Sequence, residues 1–323
     1  MLFVTNRFPT QSIRTRKGRR FTFDLNNNAP SNSVFYCEKG EDGNHTEITS
    51  KELLKRVRES DCRQILIFLH GFSNLPDDVF ETASQLQSLC DKAKENEVLV
   101  LPLIWPCDND RGVVQDYWDD QKSADQSGYS FARVLERFLE WRASPDNEPD
   151  VAPCLKRINV LAHSMGNRVL RKTLSIWNKY DLASGVPLLF RNTFMVAADV
   201  VNETLHEGET GVLISHASRN VVVYYASDDL ALRASKAANL RNRVASRRLG
   251  HTGPEDIDRT PRNVFQVDCD DVNTRYDPPV GHSYFTVGTR AGQSGSVFEH
   301  IFQCIEKGRV FPDDPDKRSS ILG

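Results

Sequence analysis

Residues 157–178 read Arg-Ile-Asn-Val-Leu-Ala-His-Ser-Met-Gly-Asn-Arg-Val-Leu-Arg-Lys-Thr-Leu-Ser-Ile-Trp-Asn, and the periodicity of their apolar side chains changes once, at Ser164. Before it, Ile158, Val160 and Leu161 make the apolar run of a strand buried on both faces. After it, Val169, Leu170, Leu174 and Trp177 recur at helical spacing. Ala162 and Gly166 flank the serine two residues away on either side, where a strained strand-to-helix turn has room only for small side chains. Strand, sharp turn and helix with a serine at the apex is the layout of a nucleophile elbow. Ala162 stands where that pattern commonly has glycine, and a methyl group is tolerable there. A serine that merely caps a helix does not call for small residues on both sides.

Outward from this stretch the chain alternates strand and helix. Gln64–Leu69 is a central strand ending at His70-Gly71-Phe72, followed by a helix with Val79, Phe80, Ala83, Leu86 and Leu89 on one face. Val98–Ile104 is a buried strand halted by Trp105-Pro106; the next helix carries Ala124, Phe131, Val134, Leu135, Phe138 and Leu139 inward, with Gly128 permitting close helix packing. A Pro-punctuated linker, Ser144–Pro153, leads into the elbow strand. Strands at Phe194–Ala198, Val221–Tyr225 and Val264–Val267 follow, then a loop with Gly281-His282-Ser283 and a closing helix through Val297, Phe298, Ile301 and Ile305. Residues 1–60 read as a β-rich lead-in. Its strand candidates are Leu2–Val4, Phe21–Leu25 and Val34–Cys37, and a Thr49-x-x-Glu52 capping box opens a helix. Arg14, Arg16, Lys17, Arg19 and Arg20 read as a solvated turn between the first two strands. The alternation predicts an α/β fold, a mostly parallel sheet covered by helices on both faces. We read 1–323 as one domain, with its core over 61–307 and a tail over 308–323.

Composition narrows the partners. With 323 residues, 39% hydrophobic and 26% charged, the chain can bury one large core, and a net charge of −3 gives no reason to expect nucleic acid. The first residues have no basic leader with an apolar core, and no apolar run reaches the roughly 18 residues that span a bilayer. The expectation is a soluble, cytoplasmic protein without membrane insertion. Seven cysteines, scattered and without a Cys-x-x-Cys pair, read as free thiols and not as a disulfide framework or zinc site.

In a parallel sheet, functional groups gather at the carboxyl ends of the strands, and His70, Ser164, Asp199, Asp228, Asp229 and His282 all fall at or after such ends. A serine hydroxyl needs a base in hydrogen-bond reach and a third group to orient that base. His282, in the loop before the last helix, is the best-placed base. His163 is expected to point to the other side of the turn and His70 to shape the loop after its strand; His206, His216, His251 and His300 have no fitting position. For the acid, Asp229 with Leu232 three residues on is favoured. Asp228 is its close rival, the other of the two capping the next helix, and Asp199 is a third candidate. Preorganised backbone donors for an oxyanion fall at Met165, after the serine, and at Phe72. Arg233, Lys236, Arg241, Arg243, Arg247, Arg248, Arg259 and Arg262 lie between acid and base. Such a run is usually a solvated helix face, with an anionic substrate the sharper alternative.

Leu-His-Gly-Phe-Ser-Asn at 69–74, Leu-Ile-Trp-Pro at 103–106, Tyr-Trp-Asp-Asp-Gln-Lys-Ser-Ala-Asp-Gln-Ser at 117–127, Ala-His-Ser-Met-Gly-Asn-Arg-Val-Leu at 162–170, Ala-Ala-Asp-Val at 197–200 and Tyr-Ala-Ser-Asp-Asp-Leu-Ala-Leu at 225–232 carry a resemblance. They are similar to the α/β-hydrolase superfamily and, within it, to a family of largely uncharacterised bacterial esterase- and lipase-like proteins, over about residues 60–300. The resemblance implies the α/β-hydrolase fold, Ser164 as nucleophile and His282 as base. It favours Asp229, although the segment before that residue is shorter by one, which keeps Asp228 in play. The chemistry implied is hydrolysis of a small-molecule carboxylic ester through an acyl-serine intermediate, with no metal or cofactor. Thioesters and amides use the same constellation, and a non-catalytic binding or scaffold protein on this fold is the alternative of a different class.

Overall fold

The run Gln64–Leu69 predicts a strand buried on both faces, and the computed structural model places one core on each. Residues 1–143, 154–180, 185–240, 247–290, 292–314 and 316–323 are described. Ile65, Ile67 and Leu69 join a cluster that includes Phe131, Val169, Leu174 and Trp177. Leu66 and Phe68 join another that includes Phe80, Leu86, Phe298 and Ile301. Because successive side chains of a strand point to opposite faces, an all-apolar strand requires a helical layer on each side. Each fully buried Leu, Ile or Phe in these layers contributes about 1.5–3 kcal/mol.

In chain order the elements are β1 (Leu2–Arg7), β2 (Pro30–Lys39), β3 (His45–Ile48), α1 (Ser50–Glu59), β4 (Gln64–Leu69), α2 (Pro76–Ala93), β5 (Val98–Ile104) and α3 (Val113–Ala143). Then come β6 (Arg157–His163), α4 (Gly166–Tyr180), β7 (Phe190–Val196), α5 (Val212–His216), β8 (Ser218–Tyr225) and α6 (Leu230–Leu240). The chain closes with α7 (Leu249–Thr252), β9 (Val264–Asp268), α8 (Asn273–Tyr276), α9 (Ser296–Lys307) and β10 (Ser319–Ile321). One ten-stranded sheet runs in the order β10-β9-β8-β7-β6-β4-β5-β1-β2-β3. Every pairing from β10 across to β1 is parallel, and only β1–β2 and β2–β3 are antiparallel. β5 and β6 lie on opposite sides of β4. The chain therefore reverses its direction of travel at β4, and a crevice opens there beyond the strand ends.

The lead-in differs from the sequence reading. Phe21–Leu25 is not a strand: Phe23 and Arg20 make only isolated bridges, to Pro9 and Thr46, while Phe21 and Phe23 pack inward from an irregular loop. Its neighbour β3 was not expected, since His-Thr-Glu-Ile offers no apolar run. Thr49 caps α1 by accepting from Glu52 N at 3.1 Å, but the Glu52 carboxylate turns to Arg56 Nε at 2.9 Å, so half of the capping box forms. Residues 308–323, read as a tail, supply β10 to the sheet edge. The expected linker Ser144–Pro153 lies outside the described residues. At Gly128 a Cβ would sit 2.8 Å from Lys172 Cγ and 3.1 Å from its backbone carbon, so the glycine does let α3 and α4 approach closely. The seven cysteines are free thiols. No helix among the described residues is long and apolar enough to cross a membrane.

Candidate active site

Ser164 turns the chain from β6 into α4 with φ at 52°, a left-handed conformation that costs a residue with a side chain about 1–3 kcal/mol. Neighbouring groups hold it there. Ser164 N donates to Val196 O at 2.9 Å, Asp199 N donates to Ser164 O at 3.1 Å, and Asn167 Nδ2 donates to Ala162 O at 2.8 Å and Ser164 O at 3.1 Å. A Cβ on Gly166 would meet Leu69 O at 2.5 Å and His70 O at 2.6 Å, so the requirement for a small residue two positions on comes from the backbone at the end of β4. Met165 N lies at the start of α4, where the first N–H groups have no acceptor within the helix.

His282 reaches the same place from the loop before α9. Its Nδ1 is 2.7 Å from Asp229 Oδ2, and since an ionised carboxylate only accepts, Nδ1 carries the proton and Nε2 keeps a lone pair. Burial pushes this imidazole down, but the Asp229 hydrogen bond and charge, with Asp199 and Asp277 farther off, outweigh it and leave the pKa raised. Asp229 is fully buried, and its second oxygen accepts from Leu232 N at 2.9 Å. The residue that bonds the imidazole therefore also caps α6. Asp228, expected to take one of those two tasks, bonds Asn273 instead. Asp277 Oδ2 accepts from His282 N at 2.8 Å and fixes the loop backbone. His163 does not point away as its sequence position suggested. It lines the Ser164 pocket and its Nε2 donates to His282 O at 3.1 Å; burial, then the nearby His282, push its pKa well below the usual value.

The loop after β4 forms the facing wall. His70 is fully buried and stacked on Trp105 at 5.0 Å, accepts from Trp105 N through Nε2 at 3.1 Å, and donates through Nδ1 to Gly71 O at 2.9 Å. Burial holds it neutral, with a pKa of about 4. Cys107 Sγ also donates to Gly71 O, at 3.5 Å. The Gly71 carbonyl and Phe72 N–H belong to one planar trans peptide and point opposite ways. Fixing the carbonyl toward His70 and Cys107 thus fixes the Phe72 N–H on the other side.

Ser164, His282, His163, Phe72, Asp199 and Tyr117 line one cavity of about 270 Å³, with Val113, Val114, Ala231 and Leu232 supplying apolar wall. Asp199 is engaged by Tyr117 Oη at 2.8 Å, Ser235 Oγ at 2.6 Å and Arg248 Nε at 3.2 Å. Ser235 carried no signal in the sequence and Tyr117 only its place in the 117–127 stretch, because their partner is 36 and 82 positions away. None of the described arginines of the 233–262 run lines the cavity. Arg233, Arg247, Arg259 and Arg262 are exposed, Arg248 is buried on Asp199, and Arg241 and Arg243 lie outside the described residues. Asp108, Asp110 and Asp116 bring carboxylate oxygens within 4.8 Å of one another before and at the start of α3, but none of the three lines this cavity.

Residues 45–289, most of the chain, match the family described as alpha/beta hydrolase of unknown function (DUF900). No curated protein matches the chain.

Proposed function

From a chain that belongs to a family of α/β hydrolases of unknown function, we propose that this protein is a serine hydrolase of small, neutral carboxylic esters. Ser164 is the nucleophile, His282 the general base and Asp229 the orienting acid. The Phe72 and Met165 N–H groups bind the oxyanion. The observation that carries the reading is the Asp229–His282 hydrogen bond of 2.7 Å, made by an imidazole that lines the same cavity as a serine held at φ 52°.

The chemistry follows from these groups. Nε2 of His282 takes the Ser164 proton as Oγ adds to the ester carbonyl, and the imidazolium that forms is stabilised by Asp229. Negative charge then develops on the carbonyl oxygen, and backbone N–H groups fixed in advance bind it without reorganising. Collapse expels the alcohol, which takes the proton from Nε2 and leaves an acyl-serine. Water, deprotonated by the same nitrogen, attacks the acyl group, and the acid leaves as Ser164 recovers its proton. The mostly apolar cavity, with the described arginines outside it, supports an uncharged acyl group over an anionic one.

Turnover of an activated neutral ester and covalent labelling by a fluorophosphonate test this directly. The wild type labels and turns over. Ser164→Ala abolishes labelling and lowers kcat by about 10³-fold or more, and His282→Ala does nearly the same. Folded wild-type protein that neither labels nor turns over ester would make the fold a binding scaffold and end the proposal.

A further inference from the structure

We infer that Asp120 is a positioning residue for the Phe72 N–H donor. The inference rests on the oxyanion role proposed above. Asp120 lies on α3 within the Tyr-Trp-Asp-Asp-Gln-Lys-Ser stretch at 117–123, none of whose polar residues touches the Ser164 hydroxyl in the reaction just described. It is fully buried. Oδ2 accepts from Ser73 N at 3.0 Å, and Oδ1 accepts from Asn28 Nδ2 at 2.8 Å and Asp108 N at 3.1 Å. One carboxylate thereby ties the loop after β4 to the loop after β5 and to the lead-in.

Ser73 gives the tie its consequence. It adjoins Phe72 and has φ at 59°, a left-handed conformation that a serine does not hold unaided. With His70 and Cys107 gripping the Gly71 carbonyl on one side and Asp120 gripping the Ser73 N–H on the other, the intervening Phe72 peptide has fixed ends. Tyr117, one turn earlier on α3, meets the Phe72 ring edge-on at 5.6 Å and fixes the side chain as well. The geometry requires a carboxylate, since donors arrive at both oxygens and an amide offers a single acceptor atom. Burial pushes the Asp120 pKa up to about 6, and the three hydrogen bonds oppose that rise.

Asp120→Asn tests the inference. Its oxygen can satisfy Asp108 N and Asn28 or Ser73 N, and in the first arrangement an amide NH₂ confronts the Ser73 N–H. The expected result is a fall in kcat of about 10–100-fold with KM within about threefold, as for loss of a donor that acts only in the transition state. A trifluoromethyl ketone, which forms a tetrahedral oxyanion on the serine, should bind more weakly by a similar factor. Asp119→Asn, which removes the adjacent charge bonded to Gln115 and Lys122, should leave kcat unchanged. In wild-type protein the Ser73 amide should also exchange slowly with deuterium, a measurement independent of how the variant folds. Asp120→Asn with wild-type kcat, a loss confined to KM, or a freely exchanging Ser73 amide overturns this inference and leaves the triad reading intact. Wild-type protein without Ser164-dependent turnover overturns both.

Discussion

At the end of β6 the chain turns at a single residue, and what holds Ser164 lies close by in sequence or one strand over: Asn167, Gly166, Val196 and Asp199. At the end of β4 the loop from His70 onward is held by Trp105, Cys107 and Asp120, 35 to 47 positions downstream. A buried carboxylate lies near each turn, Asp229 bonded to the His282 imidazole and Asp120 bonded to Ser73 N. The elbow is locked by backbone groups and by the side chain of Asn167 three residues on, whereas the loop is locked by side chains reaching in from elsewhere. A substitution among the supports of the first should act through the fold, and one among the supports of the second through the rate.

Among the carboxylates, the expected effects rank in a fixed order. Asp229→Asn leaves an amide beside Nδ1, which favours the wrong imidazole tautomer and removes the charge that stabilises imidazolium. We expect kcat to fall by about 10²–10⁴-fold. That exceeds the loss expected for Asp120→Asn, which disturbs one of the two proposed oxyanion donors. Asp199→Asn keeps the shape of a residue already occupied by Tyr117, Ser235 and Arg248, and should cost less than Asp229→Asn. Ester kinetics on the three variants decide the ranking, and Asp199→Asn as the most damaged would move the acid to the strand before.

The paired glycines probe the contrast more finely. A Cβ at Gly166 collides with the carbonyls of Leu69 and His70 at 2.5 and 2.6 Å, neither of which can move without shifting β4. Gly166→Ala should lower unfolding stability by about 1–3 kcal/mol. At Gly71 the nearest atoms are His163 Nδ1 and Ser164 Cβ, both at 3.0 Å. Gly71→Ala should therefore cost less stability than Gly166→Ala while lowering kcat about tenfold or more, because what must give is the site itself. Denaturant midpoints beside kcat for each variant test this, and a reversed pattern would break the distinction between the two turns.

The same distinction sets how much could be read from residues alone. Elbow, central strands and the helices that cover them are legible because their determinants, apolar period and small residues, sit within about ten positions of one another. The identity of the loop's supports is not, since nothing local to Phe72 names Asp120 or Trp105. Asp228 and Asp229 are chemically equivalent neighbours. What separates them is that one faces Asn273 and the other is fully buried against His282, a difference made by α8 and the closing loop. His163 misled for the opposite reason: its neighbour in sequence is the serine, but its partner is the His282 carbonyl 119 positions on. The short polar strands β3 and β10 are held by pairing with β2 and β9 and carry almost no apolar pattern.

The smallest expected effect, a change in the slope of a pH profile, compares the two regions in one experiment. In the proposed reaction His282 must be neutral to accept the Ser164 proton. Its pKa is raised by Asp229, Asp199 and Asp277 against the opposing pull of burial, so kcat/KM should fall as pH drops through a value above the ordinary imidazole range of about 6.5. Asp120, pushed to about 6 by burial, with Arg7, Cys107 and Asp108 the ionisable groups facing it from β1 and the loop after β5, gains its proton lower on the same limb. A protonated Asp120 places an O–H where an acceptor is needed and loosens Ser73. Both events suppress activity in the same direction, so the logarithmic acid limb in wild type should steepen from a slope of about one toward two as pH falls. In Asp120→Asn only the imidazole titrates, and the slope should stay at about one. In Asp229→Asn the charge that raised the imidazole is gone while its burial persists, so the first bend should move to lower pH. A limb that keeps a slope of one in wild type down to about pH 5 would break the link drawn between the Asp120 proton and the loop.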